Sequence, residues 1–179
     1  MTWMIPAWRN ACLLSACAAL AACSPALEWR DVAVDGRALT ASFPCRPQRR
    51  SREVALAATR VEMAMVSCVA EGNTFAVAYA DVADPASLTG VLGAWRRAAA
   101  DNLGGEVGIL SPPVVAGMTP NANAGRLRIR GRLPGGGEVV EHASHFVHGL
   151  RIYQASVLGS APADAAVDPF FAGLRLAPR

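Results

Sequence analysis

The chain predicts an α+β domain: an antiparallel sheet made of a hairpin and a C-terminal meander, with one long amphipathic helix and a short C-terminal helix packed on it. Three patterns lead there. Thr59 to Val69 and Thr74 to Val82 are β-rich runs around Ala70-Glu71-Gly72-Asn73, whose glycine and asparagine suit the positive φ of a hairpin turn. Leu88, Val91, Leu92, Trp95 and Ala99 fall on one face of a helix. Arg126 to Leu133 alternates apolar and basic, and two further strand-like runs follow it, Glu138 to Val147 and Leu150 to Leu158. The turn signals Pro134-Gly135-Gly136-Gly137 and His148-Gly149 separate these runs.

In chain order, the first element is not part of the fold. Ala11 to Ala22 is a run of small and apolar residues preceded by Arg9, with no acid before Glu28, which is the charge asymmetry of a secretory leader. As a helix it would reach about 18 Å at about 1.5 Å per residue, too short for a hydrocarbon core of about 30 Å. Residues 1–22 are therefore expected to be a signal peptide, 23–35 a tether, and 36–179 a single domain. Arg37 to Pro44 reads as a short first strand that Pro44 and Pro47 end, since neither can donate to a ladder. Arg46, Arg49, Arg50 and Arg52 then read as a solvated loop. In the second hairpin strand Phe75, Val77 and Tyr79 project to one face and Ala76, Ala78 and Ala80 to the other, and the alanine face would admit a helix at close range.

Asp84 and Pro85 suit the start of that helix and Gly104-Gly105 its end, with Arg96, Arg97 and Asp101 on the wet side. Glu106 to Ala124 reads as an extended link with a short strand at 114–116. Pro162 to Gly173 is the last helical stretch, interrupted by Pro169, with Asp168-Pro169 opening a fresh turn that packs Phe170, Phe171 and Leu174 onto the sheet.

The leader closes on Leu20-Ala21-Ala22-Cys23, which resembles the lipobox of bacterial lipoproteins. That resemblance implies cleavage before Cys23, a diacylglycerol thioether on its sulfur and acylation of the new amino group. Two or three acyl chains, at about 0.8 kcal/mol per buried methylene, make stable anchoring. Ser24 in the next position is similar to lipoproteins sent on to the outer membrane. Cys12 and Cys17 would leave with the leader and Cys23 would be acylated, so Cys45 and Cys68 remain as a pair in an oxidising space and are expected to form a disulfide. Two buried thiols or a redox pair are the alternatives, the latter disfavoured because the pair lacks CxxC spacing.

A first strand ending in Phe43-Pro44-x-x-Pro47, a hairpin, an amphipathic helix, a meander and a closing Phe170-Phe171-x-x-Leu174-Arg175-Leu176 resemble uncharacterised proteobacterial lipoproteins with a PsbP-like α+β fold. That resemblance implies a non-enzymatic accessory or binding module and carries over no catalytic residue.

Two side-chain patterns bear on chemistry. The three histidines lie in His142-x-x-His145-x-x-His148, but on a strand a spacing of three alternates faces, and His142 and His148 would stand about 20 Å apart. No metal or cofactor is expected from them, and Ser144 beside His145 makes no nucleophile motif because strand neighbours point apart. Arg126, Arg128, Arg130 and Arg132 would stand on one strand face at about 7 Å intervals, suited to an anionic lipid, a glycan phosphate or an acidic envelope protein. The plainer reading is a solvated face partly paired with Glu138 and Glu141. All seventeen basic residues are arginine, and losing Arg9 lowers a net charge of only +3, which does not call for a nucleic-acid partner. The expected protein is thus a lipid-anchored, non-enzymatic interaction or accessory module at the periplasmic face of the outer membrane. The alternatives are a small periplasmic hydrolase or a carrier of a small apolar ligand.

Overall fold

The alternation that separates Phe75, Val77 and Tyr79 from Ala76, Ala78 and Ala80 marks a strand buried on both faces, and this strand lies near the middle of the molecule. A computed structural model describes residues 27–177 apart from 37, 57–58 and 113–114. Cys23 and the leader lie outside the described residues. The strands are β1 (Arg30–Ala33), β2 (Leu39–Phe43), β3 (Gln48–Leu56), β4 (Thr59–Ala70), β5 (Asn73–Asp81), β6 (Glu106–Ile109), β7 (Gly125–Arg132), β8 (Glu138–His148), β9 (Arg151–Gly159) and β10 (Arg175–Leu176). The helices are α1 (Leu88–Leu103), entered through a 3₁₀ turn at Pro85–Ser87, and α2 (Asp164–Ala172). A seven-stranded antiparallel sheet runs β3-β4-β5-β9-β8-β7-β6, and a three-stranded sheet runs β1-β2-β10.

This corrects the expected class. The fold is mostly β, with 50% of the described residues in strands and 19% helical, rather than an α+β domain carried by a long amphipathic helix. The reason lies in elements that are short or largely exposed. The arginine-rich segment expected as a loop is the edge strand β3, exposed from Gln48 through Glu53, so no apolar alternation marks it. The opposite edge strand β6 is exposed throughout and falls in the expected link. Strand β1 falls in the stretch expected as a tether, and the Glu28 N–H donates to Pro44 O at 2.9 Å, so the folded chain reaches back beyond residue 36. Helix α2 runs through Pro169 without interruption.

The large sheet is covered on both faces. On one, Val66, Phe75, Val77, Phe146 and Tyr153 meet Leu39, Ala41 and Phe43 of the small sheet and Phe170 and Phe171 of α2. On the other, α1 seats Val91, Leu92 and Trp95 on Ala78, Ala80, Val147 and Ile152, while Ala99 and Leu103 lie on Leu127 and Ile129. Asp84 caps the 3₁₀ turn, accepting from Ala86 N–H at 2.9 Å, and Gly104 ends α1 with φ +55°. Gly131 allows the close approach there, since a Cβ would stand 2.3 Å from the Leu103 carbonyl oxygen. Cys45 and Cys68 form a disulfide, tying the exit of β2 to β4. In the chain-entropy model such a bond stabilises by about 3 kcal/mol. No helix among the described residues is long and apolar enough to cross a membrane.

Candidate functional site: a cationic cleft between β7, β8 and α2

Strand β7 pairs with β8 so that Arg126 faces Ser144, Arg128 faces His142, Arg130 faces Val140 and Arg132 faces Glu138. Paired residues share a face, so the four arginines stand on the side of the sheet that carries α2. They are not equivalent, as the sequence pattern alone would make them. Arg130 and Arg132 are exposed, and Arg132 pairs with Glu138 at 3.0 Å. Arg126 and Arg128 are half-buried because α2 reaches over the end of the row. The Arg126 guanidinium lies 4.3 Å from the Phe171 ring centre and 3.5 Å from Asp168 Oδ1. The Arg128 side chain makes no hydrogen bond or ion pair among the described residues. Glu141, expected as a partner of the row, belongs to the other face, because it lies an odd number of residues from Glu138 and so points through the sheet.

A cleft of about 210 Å³ opens beside Arg126, lined also by Ser111, Ser144, Asp168, Phe171 and Leu174. The Nε atoms of Arg126 and Arg128 and both ring nitrogens of His142 are buried without a hydrogen-bond partner among the described residues. Burial, with the charges of Arg128 and Arg126 adding to it, pushes the His142 imidazole below its usual range, against a weaker opposing pull from Asp164 and Asp168. The register puts His142 and His148 on this face and His145 on the other. No group of three metal-ligating side chains is assembled among the described residues.

Beneath α1, on the opposite face, Gln154 Nε2 donates to Glu141 Oε1 at 3.0 Å, and His145 stands on the rung opposite Gln154 with its ring edge-on to Trp95. Gly125, opposite His145, leaves room for the Arg96 guanidinium, which a Cβ there would meet at 3.0 Å. Burial, and then the Arg96 charge, lower His145 to about 4, while burial raises Glu141. The two groups act on stability in opposite senses. As pH falls from about 6.5 to about 4, the unfolded chain takes up a proton that folded His145 refuses, so stability is lost. As pH rises through the ordinary carboxyl range, the unfolded chain releases a proton that Glu141 keeps, so stability is lost in the other direction. His145→Gln is therefore expected to flatten the loss of stability between pH 6.5 and 4, read as the urea midpoint at each pH. An unchanged slope would remove His145 as its source.

A third cluster was not visible in the sequence, where Asp35 reads as an ordinary turn residue. Its side chain is 1% exposed and accepts from Ala38 N, Leu39 N, Tyr153 Oη and Arg151 Nη1 at 2.7–3.1 Å. Arg151 in turn donates to both oxygens of Asp81, at 2.7 and 2.6 Å. Each acceptor is engaged, and the cluster ties the small sheet to the large one rather than presenting a reactive group.

In comparisons with known proteins, the chain matches no family model, no curated protein and no solved structure.

Proposed function

We propose that this protein is a lipid-anchored, non-enzymatic envelope module that holds an anionic partner through the inner end of its arginine row, at the periplasmic face of the outer membrane. The observation that carries the reading is Leu20-Ala21-Ala22-Cys23 closing an apolar leader, because it sets the compartment and the attachment point together. The short link beyond it adds support. Leu27 already packs against the core, and four residues from Cys23 reach at most about 14 Å, so an acylated Cys23 would hold the domain close to the lipid. A binding role is supported by Arg126, which lines a cleft, and by Arg128 on the next rung, the Nε atoms of both being buried without a hydrogen-bond partner among the described residues. A serine hydrolase is disfavoured, because Ser144 and His145 fall on opposite faces of β8.

Cys23→Ala is expected to abolish labelling by an acyl-chain probe in cells and to release the protein from the membrane fraction. Persistent membrane association of the variant would sink the anchor.

A further inference from the structure

We infer that the cleft between β7, β8 and α2 binds one oxyanion of the phosphate class, a phosphate monoester or diester, at Arg126 and Ser144 in its lining, with Arg128 and His142 on the adjoining rung of the same sheet face. This deepens the binding role proposed above and is independent of the lipid anchor.

On two neighbouring rungs, Arg126–Ser144 and Arg128–His142, four buried polar atoms have no hydrogen-bond partner among the described residues: Nε of Arg126, Nε of Arg128, and both nitrogens of His142. Buried donors of this kind are costly to leave unpaired, so a ligand that accepts from several at once has a ready partner in each. Their spacing suits a tetrahedral anion. Arg126 and Arg128 are alternate residues of β7, about 7 Å apart, and Ser144 and His142 stand opposite them at about 5 Å. The backbone thus brings two guanidinium groups, a hydroxyl and an imidazole onto one small patch of the sheet face.

The scaffold fixes the geometry before any ligand arrives. Phe171 stacks under the Arg126 guanidinium, and the sheet register sets the remaining three side chains. Asp164 and Asp168 are the acids near the site, and the Asp168 side chain is 70% exposed and 3.5 Å from Arg126, a loose pair that an incoming dianion displaces. His142 supplies a signature. Its protonated form is disfavoured by burial and by the two guanidinium charges, and a phosphate placed between them would cancel that repulsion. Binding should therefore be accompanied by proton uptake at His142, which diffuse attraction to a basic surface would not produce.

The test is a titration of the purified full chain with inorganic phosphate at constant ionic strength, followed by the His142 ring resonances and by calorimetry in two buffers of different ionisation enthalpy. Saturable one-to-one binding with proton uptake is expected. Arg128→Gln and, separately, Ser144→Ala should weaken it, the arginine change by roughly ten-fold or more. Arg52→Gln, which removes the same charge from the exposed edge strand, should leave it unchanged. No saturable response, or equal weakening by Arg52→Gln and Arg128→Gln, would overturn the site. Vesicles containing phosphatidylglycerol and soluble glycerol 3-phosphate distinguish the source. Loss of both on Arg128→Gln identifies a lipid headgroup reached in place, and loss of the soluble ligand alone identifies a free phosphate ester. A failure of Cys23→Ala to release the protein would sink the anchor without affecting any of these readouts.

Discussion

Asp35→Ala is expected to destabilise the fold by about 3–5 kcal/mol, a large part of the 5–15 kcal/mol that holds a typical domain together. The deleted carboxylate is almost wholly buried and takes four hydrogen bonds. Its loss leaves the Tyr153 hydroxyl and the N–H groups of Ala38 and Leu39 without their acceptor, and removes one of the two acids that neutralise Arg151. Tyr153 stays neutral and Arg151 stays charged through neutral pH. Burial, then the bond to Asp35, pushes Tyr153 well above the usual phenol range, and the bonds to Asp81 push Arg151 upward. The cost therefore holds across neutral pH. Asp81→Ala is expected to cost about 1 kcal/mol or less, although it removes two short hydrogen bonds, because Asp81 is 62% exposed and water replaces it. Urea midpoints at unchanged slope measure both. Equal losses, or a loss under about 1 kcal/mol for Asp35→Ala, would show that the cluster does not join the two sheets.

The same contrast explains what could be read from the chain. Where the two faces of a strand meet different surroundings, the period of two is written in the residues, as with Leu127 and Ile129 between arginines or the aromatic and alanine faces of β5, both of them buried. Elements that escaped lack that asymmetry. β3 is wet on both sides, β1 and β10 are four and two residues long, and β6 is an exposed edge. The pairing of β10 also depends on a partner far along the chain: Arg175 meets Thr40 across the small sheet. The arginine row was visible as a row, but its division into buried and exposed halves was not, because that depends on where α2 lies. Asp35 shows the limit most plainly, since its partners Tyr153 and Arg151 are more than a hundred residues away.

The position of α2 rests in turn on Phe170, and Phe170→Ala should cost about 3–5 kcal/mol. Helix α2 has little of its own to keep it in place. Its N-cap residue Ala163 offers no side-chain acceptor, and Pro169 within it lacks an N–H. It is held by Ala166, Val167, Phe170 and Phe171, all buried. The Phe170 ring is fully buried where three elements meet, edge-on to Phe43 of β2 and Phe75 of β5 at 5.5 Å each. Edge-to-face pairs of this kind contribute about 0.5–1.5 kcal/mol beyond the area they bury, so a double-mutant cycle with Phe43→Ala should give a coupling in that range. Strict additivity would mean that the small sheet and α2 pack on the large sheet independently. Phe170→Leu, which keeps most of the volume, should cost less than half as much as Phe170→Ala. Because α2 also carries Phe171 and Asp168, loosening it frees the Arg126 guanidinium. Phe170→Ala should then weaken phosphate binding under conditions where the variant is still folded, although Phe170 is not among the residues lining the cleft.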